Sequence, residues 1–194
     1  VRSSAASDVY KRQDGRTAES GKLAARLQDI NPQLRLTVLR EYVRDEATDR
    51  LLDGGKFDYA VDAIDTLSPK VNLIKGALDR GIPLVSSMGA GAKTDPTLIE
   101  IRDIAKSHHC PLAHMLRKRL HKAGIRTGFR VVFSPEAVRE GAMILCEETN
   151  KKSNVGTISY MPALFGCHCA SVVIRGLIGD CLLYTSPSPR DPKT

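Results

Sequence analysis

Val61-Asp62-Ala63-Ile64-Asp65-Thr66-Leu67-Ser68-Pro69-Lys70 is the stretch on which the fold turns. Its first half reads as a short apolar strand that ends on an aspartate. Its second half starts a helix: Ser68 can cap it, and Pro69 suits a first turn because it has no N–H to leave unpaired. A strand that runs straight into a helix is half of a βαβ unit, and such units build parallel sheets. In open parallel sheets ligands sit beyond the carboxyl ends of the strands, which is where Asp65 falls. A carboxylate there can hold Mg²⁺ against a nucleotide phosphate, and the helix start offers the same phosphate its amides and positive dipole end. The alternative is that Asp65 only caps the helix, as strand-end aspartates commonly do. Asp62 points to the opposite face of a regular strand and is expected to orient backbone or a loop.

Outward from this stretch, helix and strand patterns alternate. Residues 20–30 read as a helix ended by Asn31-Pro32, and 34–39 alternate apolar and polar side chains as a half-buried strand does. Residues 45–52 form a short helix stopped by Gly54-Gly55, and 57–64 a buried strand. Val71, Ile74, Ala77 and Leu78 mark a helix over 68–80 that Gly81 ends; 82–88 is the next strand, followed by a Gly89-Ala90-Gly91 turn. Pro111 to Lys122 is a helix, Arg130 to Phe133 a strand, 142–146 another strand, and 161–178 a long apolar helix. The expected class is α/β: a Rossmann-like, mostly parallel sheet with helices on both faces.

The ends read differently. Residues 3–13, SSAASDVYKRQ, and 181–191, CLLYTSPSPRD, resemble a translated pair of sequencing-adapter ends. The expected division is therefore 1–13 and 181–194 as adapter artefact, with a single domain over 14–180. Trimming takes the 29 basic and 22 acidic residues to 24 and 20, so a net charge of +7 falls to +4. Cys110, Cys146, Cys167 and Cys169 remain, with no CxxC pair, which points to a reduced cytoplasmic protein and argues against a four-cysteine zinc site. No run is read as long and apolar enough to cross a membrane.

From Ile104 to Pro135 there is no acidic residue, but there are Lys106, Arg117, Lys118, Arg119, Lys122, Arg126 and Arg130. On the helix, Leu112, Met115, Leu116 and Leu120 can face the core while the bases project outwards. A face of one sign suits a phosphate backbone, so Arg117, Lys118, Arg119, Lys122 and Arg126 are candidate RNA-binding residues; the plain alternative is a solvated face. His108, His109 and His114 lack the helical i, i+4 spacing of a metal pair. Cys167 and Cys169, two apart on a helix, point away from each other and are expected to be buried packing residues.

The quoted stretch resembles the ThiF/MoeB/HesA superfamily of ATP-dependent carboxylate-adenylating enzymes. So does Ser86-Ser87-Met88-Gly89-Ala90-Gly91-Ala92-Lys93-Thr94-Asp95-Pro96. Within that superfamily both segments, and the run from Gly156 to Ser171, most resemble the tRNA threonylcarbamoyladenosine dehydratases. The resemblance implies that Asp65 is catalytic and holds Mg²⁺, and that Lys22, Thr66 and Lys70 lie near ATP. It implies a partial adenylation domain over 14–180 whose N-terminal βαβ part, with its phosphate loop and arginine, lies upstream of Asp14. It implies a tRNA substrate and a homodimer and leaves a sulfur-transfer partner protein open; no membrane partner is expected. The implied reaction activates the carboxylate of threonylcarbamoyladenosine as an acyl-adenylate that cyclises with loss of water. Other readings stay open: an activating enzyme for a sulfur-carrier or ubiquitin-like protein, a nicotinamide dehydrogenase, or a non-catalytic RNA-binding remnant.

Overall fold

The computed structural model describes residues 15–39, 43, 45–137, 143–148 and 151–178. The adapter-like ends, and the limits 14 and 180, lie outside the described residues. The chain divides into two compact units, Val1–Val43 and Arg44–Thr194. The first holds α1 (Gly15–Ile30), which Asn31 and Pro32 end; the Gln28 amide then donates to the Leu34 carbonyl at 3.1 Å. The strand expected over 34–39 is not formed. Alternating side chains make a strand only where a neighbouring strand completes the hydrogen-bond ladder.

The second unit runs α2 (Glu46–Asp53), β1 (Ala60–Asp62), α3 (Leu67–Asp79), β2 (Leu84–Ser87), β3 (Glu100–Asp103), α4 (Pro111–Lys122), β4 (Arg130–Phe133), β5 (Met143–Glu148), β6 (Lys151–Val155) and α5 (Tyr160–Ile178). Four strands form one sheet in the order β1-β2-β4-β3. β1, β2 and β4 are parallel, while β3 pairs antiparallel with β4, Ile101 opposite Val132. β5 and β6 form a separate antiparallel pair. The antiparallel β3 and the β6 strand were not expected from the sequence, and the strand read over 57–64 shrinks to three residues.

Strand alternation divides the core. Leu84, Val131 and Phe133 face α3 and α4, packing with Ile74, Ala113, Leu116 and Leu120. Val85 and Val132 face the other way, onto Met161, Phe165, Cys169 and Val172 of α5. These four recur at helical spacing, so α5 lays one stripe on the sheet. Burying each large side chain stabilises by about 1.5–3 kcal/mol. Contrary to the sequence reading, α5 has the length (19 residues) and mean hydropathy (1.5) to cross a membrane. A core helix packed on a sheet meets the same test. Ile174, Leu177 and Ile178 lie off the buried stripe and are exposed.

Local chemistry sets the helix ends. α3 ends at Arg80 and Gly81, whose φ of 68° lies in the left-handed region that favours glycine. At its start the cap position is held by Thr66 in extended conformation, and Ser68 sits inside the first turn, so Ser68 does not cap as expected. Arg80 binds Asp53 through Nε at 2.7 Å and Asp49 through Nη2 at 3.1 Å, tying α2 to the end of α3.

Candidate functional site

The parallel strands end at Asp62, Ser87 and Phe133, and the segments that follow them gather at one end of the sheet. Asp65 lies three residues past the end of β1, exposed, with the Thr66 hydroxyl donating to its Oδ1 at 3.3 Å. Thr66 then leads into α3, with no side-chain capping bond of its own. The first amides of a helix have no partner within it and carry the positive end of its dipole. A carboxylate beside such a helix start suits a magnesium–phosphate complex, because Mg²⁺ takes one or two carboxylates and fills its shell with phosphate oxygens and water. Among the described residues no group of three or more His, Cys, Asp or Glu could hold a metal by itself.

Beneath Asp65 lies a buried polar knot. Lys70 and Asp62 are both fully buried and pair at 2.8 Å. Lys70 also donates to the Ile64 carbonyl at 2.9 Å and the Ser87 carbonyl at 2.8 Å. Asp62 accepts from the Ser86 hydroxyl at 2.6 Å and the Ile64 N–H at 3.0 Å. The expectation that Lys70 faces phosphate is corrected. An ammonium has three protons, and all three are committed inside the protein. Burial pulls the Lys70 pKa down, and the Asp62 carboxylate opposes it. Asp62 orients a loop, as expected, and in addition neutralises Lys70.

The loop after β2 is anchored from three directions. Ala92 N–H donates to the Gly156 carbonyl at 2.8 Å, and the Tyr160 hydroxyl donates to the Thr94 carbonyl at 2.6 Å. The Glu136 carboxylate accepts from Thr94 N–H at 2.8 Å, Asp95 N–H at 3.0 Å and the Thr94 hydroxyl at 2.8 Å. Lys93, buried, donates to the Glu136 carbonyl. The Asp95 amide, with Thr94, holds the Glu136 carboxyl below its ordinary 4.5. Because its folded value is depressed, the clamp contributes fully above the unfolded value and is lost as pH falls through the folded one. Protection of the Thr94 and Asp95 amides from hydrogen exchange should therefore be high at pH 6 and fall on acid titration as Glu136 takes up its proton. Glu136→Ala should give low protection already at pH 6. Protection in the alanine variant equal to wild type at pH 6 would refute the clamp.

The basic helix adjoins this end of the molecule. Arg119 of α4 donates from Nη1 to the Ser68 hydroxyl at 2.8 Å, so the basic face and the first turn of α3 are continuous. Lys118, Lys122 and Arg126 are exposed. Arg117 is corrected: it is half-buried and donates from Nη1 to the Ser107 carbonyl at 2.7 Å and also to the Ser107 hydroxyl. Met115, expected in the core, is 45% exposed, which sets the buried edge of α4 at Ala113, Leu116 and Leu120.

Against known proteins, the model described as the ThiF family matches residues 8–191. The chain belongs to the ThiF family. It is 44% identical over 168 residues to the tRNA threonylcarbamoyladenosine dehydratase of Bacillus subtilis (strain 168), covering 81% of this chain and 65% of that protein. Dehydratase 2 of Saccharomyces cerevisiae is 33% identical over 80% of this chain and 39% of its own length. The crystal structure of the E. coli dehydratase in complex with ATP superposes with a TM-score of 0.73 at 30% identity, over 84% of this chain and 65% of that one. The chain thus spans just under two thirds of the length of the Bacillus relative, and less of the yeast one.

Within this ThiF-family chain the sequence-predicted residues fall in different places. Asp65, Thr66 and Lys70 come together. Lys22 is exposed on α1, in the other compact unit. Cys169 is buried as expected, with burial pushing its thiol up while Lys70 opposes, but Cys167 is exposed. A cleft of about 580 Å³ opens at the far end of the sheet, lined by Tyr59, Pro83, Asp103, Lys106 and Arg130. It holds none of the predicted site residues. Sequence reasoning missed Glu136, Ser86 and the Arg119–Ser68 contact. Their partners lie 41, 24 and 51 residues away, beyond any local pattern.

Proposed function

We propose that the full-length protein is an ATP-dependent tRNA threonylcarbamoyladenosine dehydratase acting by carboxylate adenylation in the cytoplasm. The observation that carries this reading is the continuity of the Asp65–α3 end with the basic face of α4, through Arg119 and Ser68. An acid on a tRNA needs both a nucleotide-phosphate site and a polyanion surface beside it. The names of the Bacillus and yeast relatives, and the ATP and AMP complexes of the E. coli enzyme, support the same reading.

In the proposed reaction the threonine carboxylate attacks the α-phosphorus of ATP and pyrophosphate leaves. A nucleophile within the same modification then attacks the acyl carbon and AMP leaves. The nucleoside thereby loses the elements of one water. Asp65 is proposed to hold Mg²⁺, which would offset charge developing on the phosphates. Thr66 and the first amides of α3 lie beside it, and Lys22 is proposed to contact the phosphates. Lys118, Arg119, Lys122 and Arg126 present charge to the RNA backbone. The homodimer and the sulfur-transfer partner rest on the superfamily resemblance.

The full-length protein, incubated with Mg-ATP and tRNA bearing threonylcarbamoyladenosine, should convert the nucleoside to a product lighter by one water, only with ATP. No mass change, with ATP–pyrophosphate exchange appearing only when a small carrier protein is added, would overturn the reading. It would place the protein among carrier-activating enzymes. Replacing Lys118, Lys122 and Arg126 with Gln should leave ATP binding unchanged. It should also lower the slope of log affinity for tRNA against log salt by about 2–3, at roughly 0.7–0.9 for each phosphate no longer neutralised. An unchanged slope would remove α4 from the interface.

A further inference from the structure

We propose that Lys70 is a positioning residue: buried with Asp62, its ammonium ties the Ile64 carbonyl to the Ser87 carbonyl and so sets the direction in which Asp65 leaves the end of β1. The inference rests on the reading of Asp65 as the carboxylate that holds Mg²⁺. Three facts carry it. The three acceptors of Lys70 belong to the end of β1 (Asp62), the residue before Asp65 (Ile64) and the end of β2 (Ser87), at 2.8, 2.9 and 2.8 Å. The same Ile64 residue is gripped from its other side, since its N–H donates to Asp62. And Asp62 is itself held by Ser86 of β2. The residue next to Asp65 is therefore fixed at both its amide and its carbonyl by one buried pair, braced on the neighbouring strand.

A buried ion pair is a costly way to hold two strands, and hydrophobic residues of similar volume often stabilise as well or better. What an apolar pair cannot do is orient a carbonyl. The strands themselves pair only as far as Asp62 with Ser86, so the ladder ends three residues short of Asp65. From there the Lys70–Asp62 pair continues the constraint. Groups that orient a metal-holding residue from behind typically change metal affinity by about 10–100-fold when removed.

The test is the double variant Asp62→Leu, Lys70→Met, which replaces the pair without stranding a charge. Two measurements are made on the full-length protein. In metal-free and nucleotide-free protein, the amides of residues 63–66 should exchange about tenfold faster than in wild type, while amides of α4 do not change. In the dehydration assay, half-saturating Mg²⁺ should rise about tenfold or more, with a smaller effect on the half-saturating tRNA concentration. Unchanged exchange at 63–66 overturns the proposal. Faster exchange with unchanged Mg²⁺ dependence also overturns it, because the pair would then order the loop without serving Asp65. Ser86→Ala, which removes one brace from Asp62 and leaves the pair intact, should shift both readouts in the same direction by less. It decides the matter if the double variant does not fold. A wild type that uses no Mg-ATP would sink the proposed function instead, and the exchange result would still report on the loop.

Discussion

Asp65→Ala should reduce the proposed ATP-dependent dehydration by the full-length protein roughly 100-fold or more while leaving the fold intact. The rate effect is large because charge on the phosphates would change as the carboxylate attacks, and Mg²⁺ held by Asp65 would stabilise that change without reorganising. The stability effect is small because Asp65 is exposed. Exposed substitutions away from special features usually stay within about 0.5 kcal/mol. Asp65→Asn keeps the shape and removes the charge, so it should fall almost as far. The measurement is single-turnover conversion of the modified nucleoside at saturating Mg-ATP, alongside urea unfolding. Retention of more than about a tenth of the rate in the alanine variant would take Asp65 out of the chemistry and leave it the helix-start role weighed from sequence.

Asp62→Ala should be the most destabilising single exchange at this end of the sheet, at about 3–5 kcal/mol. It leaves the Lys70 ammonium buried against carbonyls alone, and it strips partners from the Ser86 hydroxyl and the Ile64 N–H. The pH sense follows from Lys70. Its folded pKa is lowered by burial, so between that value and the unfolded 10.5 the unfolded chain binds more protons. The Lys70 contribution to stability therefore rises with pH in that window and is flat below it. Urea unfolding at neutral pH reads the mutational cost directly. A loss below about 1 kcal/mol would mean that water reaches the pair, since exposed ion pairs are worth that little.

Much of the fold was legible where local chemistry and packing agree. α4 begins at Pro111 and ends at Lys122 as its pattern predicts, with Pro in the first turn and Leu116 and Leu120 on the buried stripe. β4 runs from Arg130 to Phe133 as read, because its apolar side chains are buried on both faces of the sheet. Where partners are distant, the reading failed. Residues 34–39 carry strand alternation, but no described strand pairs with them. β3 is an antiparallel edge of four residues whose register comes from β4, not from its own side chains. At the site, the strand–Asp–helix sequence put Asp65 between a strand and a helix, and the chain has it between β1 and α3, a position that follows from chain direction alone. Lys70 was set beside the phosphates by the family resemblance, not by any local pattern. Its acceptor on Ser87, 17 residues further on, is what turns it inward. Arg117 went the same way, through Ser107.

The strand order has a consequence for how the chain assembles. β3 precedes β4 in the chain, yet among the described strands β4 is its only partner. β2 likewise waits for β4 on one side. On a ribosome adding about 5–20 residues per second, β3 leaves the exit before β4, its described partner, has been made. β1 and β2, with α3 between them, can form early as a local unit. The segment from Glu100 must stay open until Phe133 arrives and α4 has swung across. β4 is then the keystone: its insertion closes both ladders in one step.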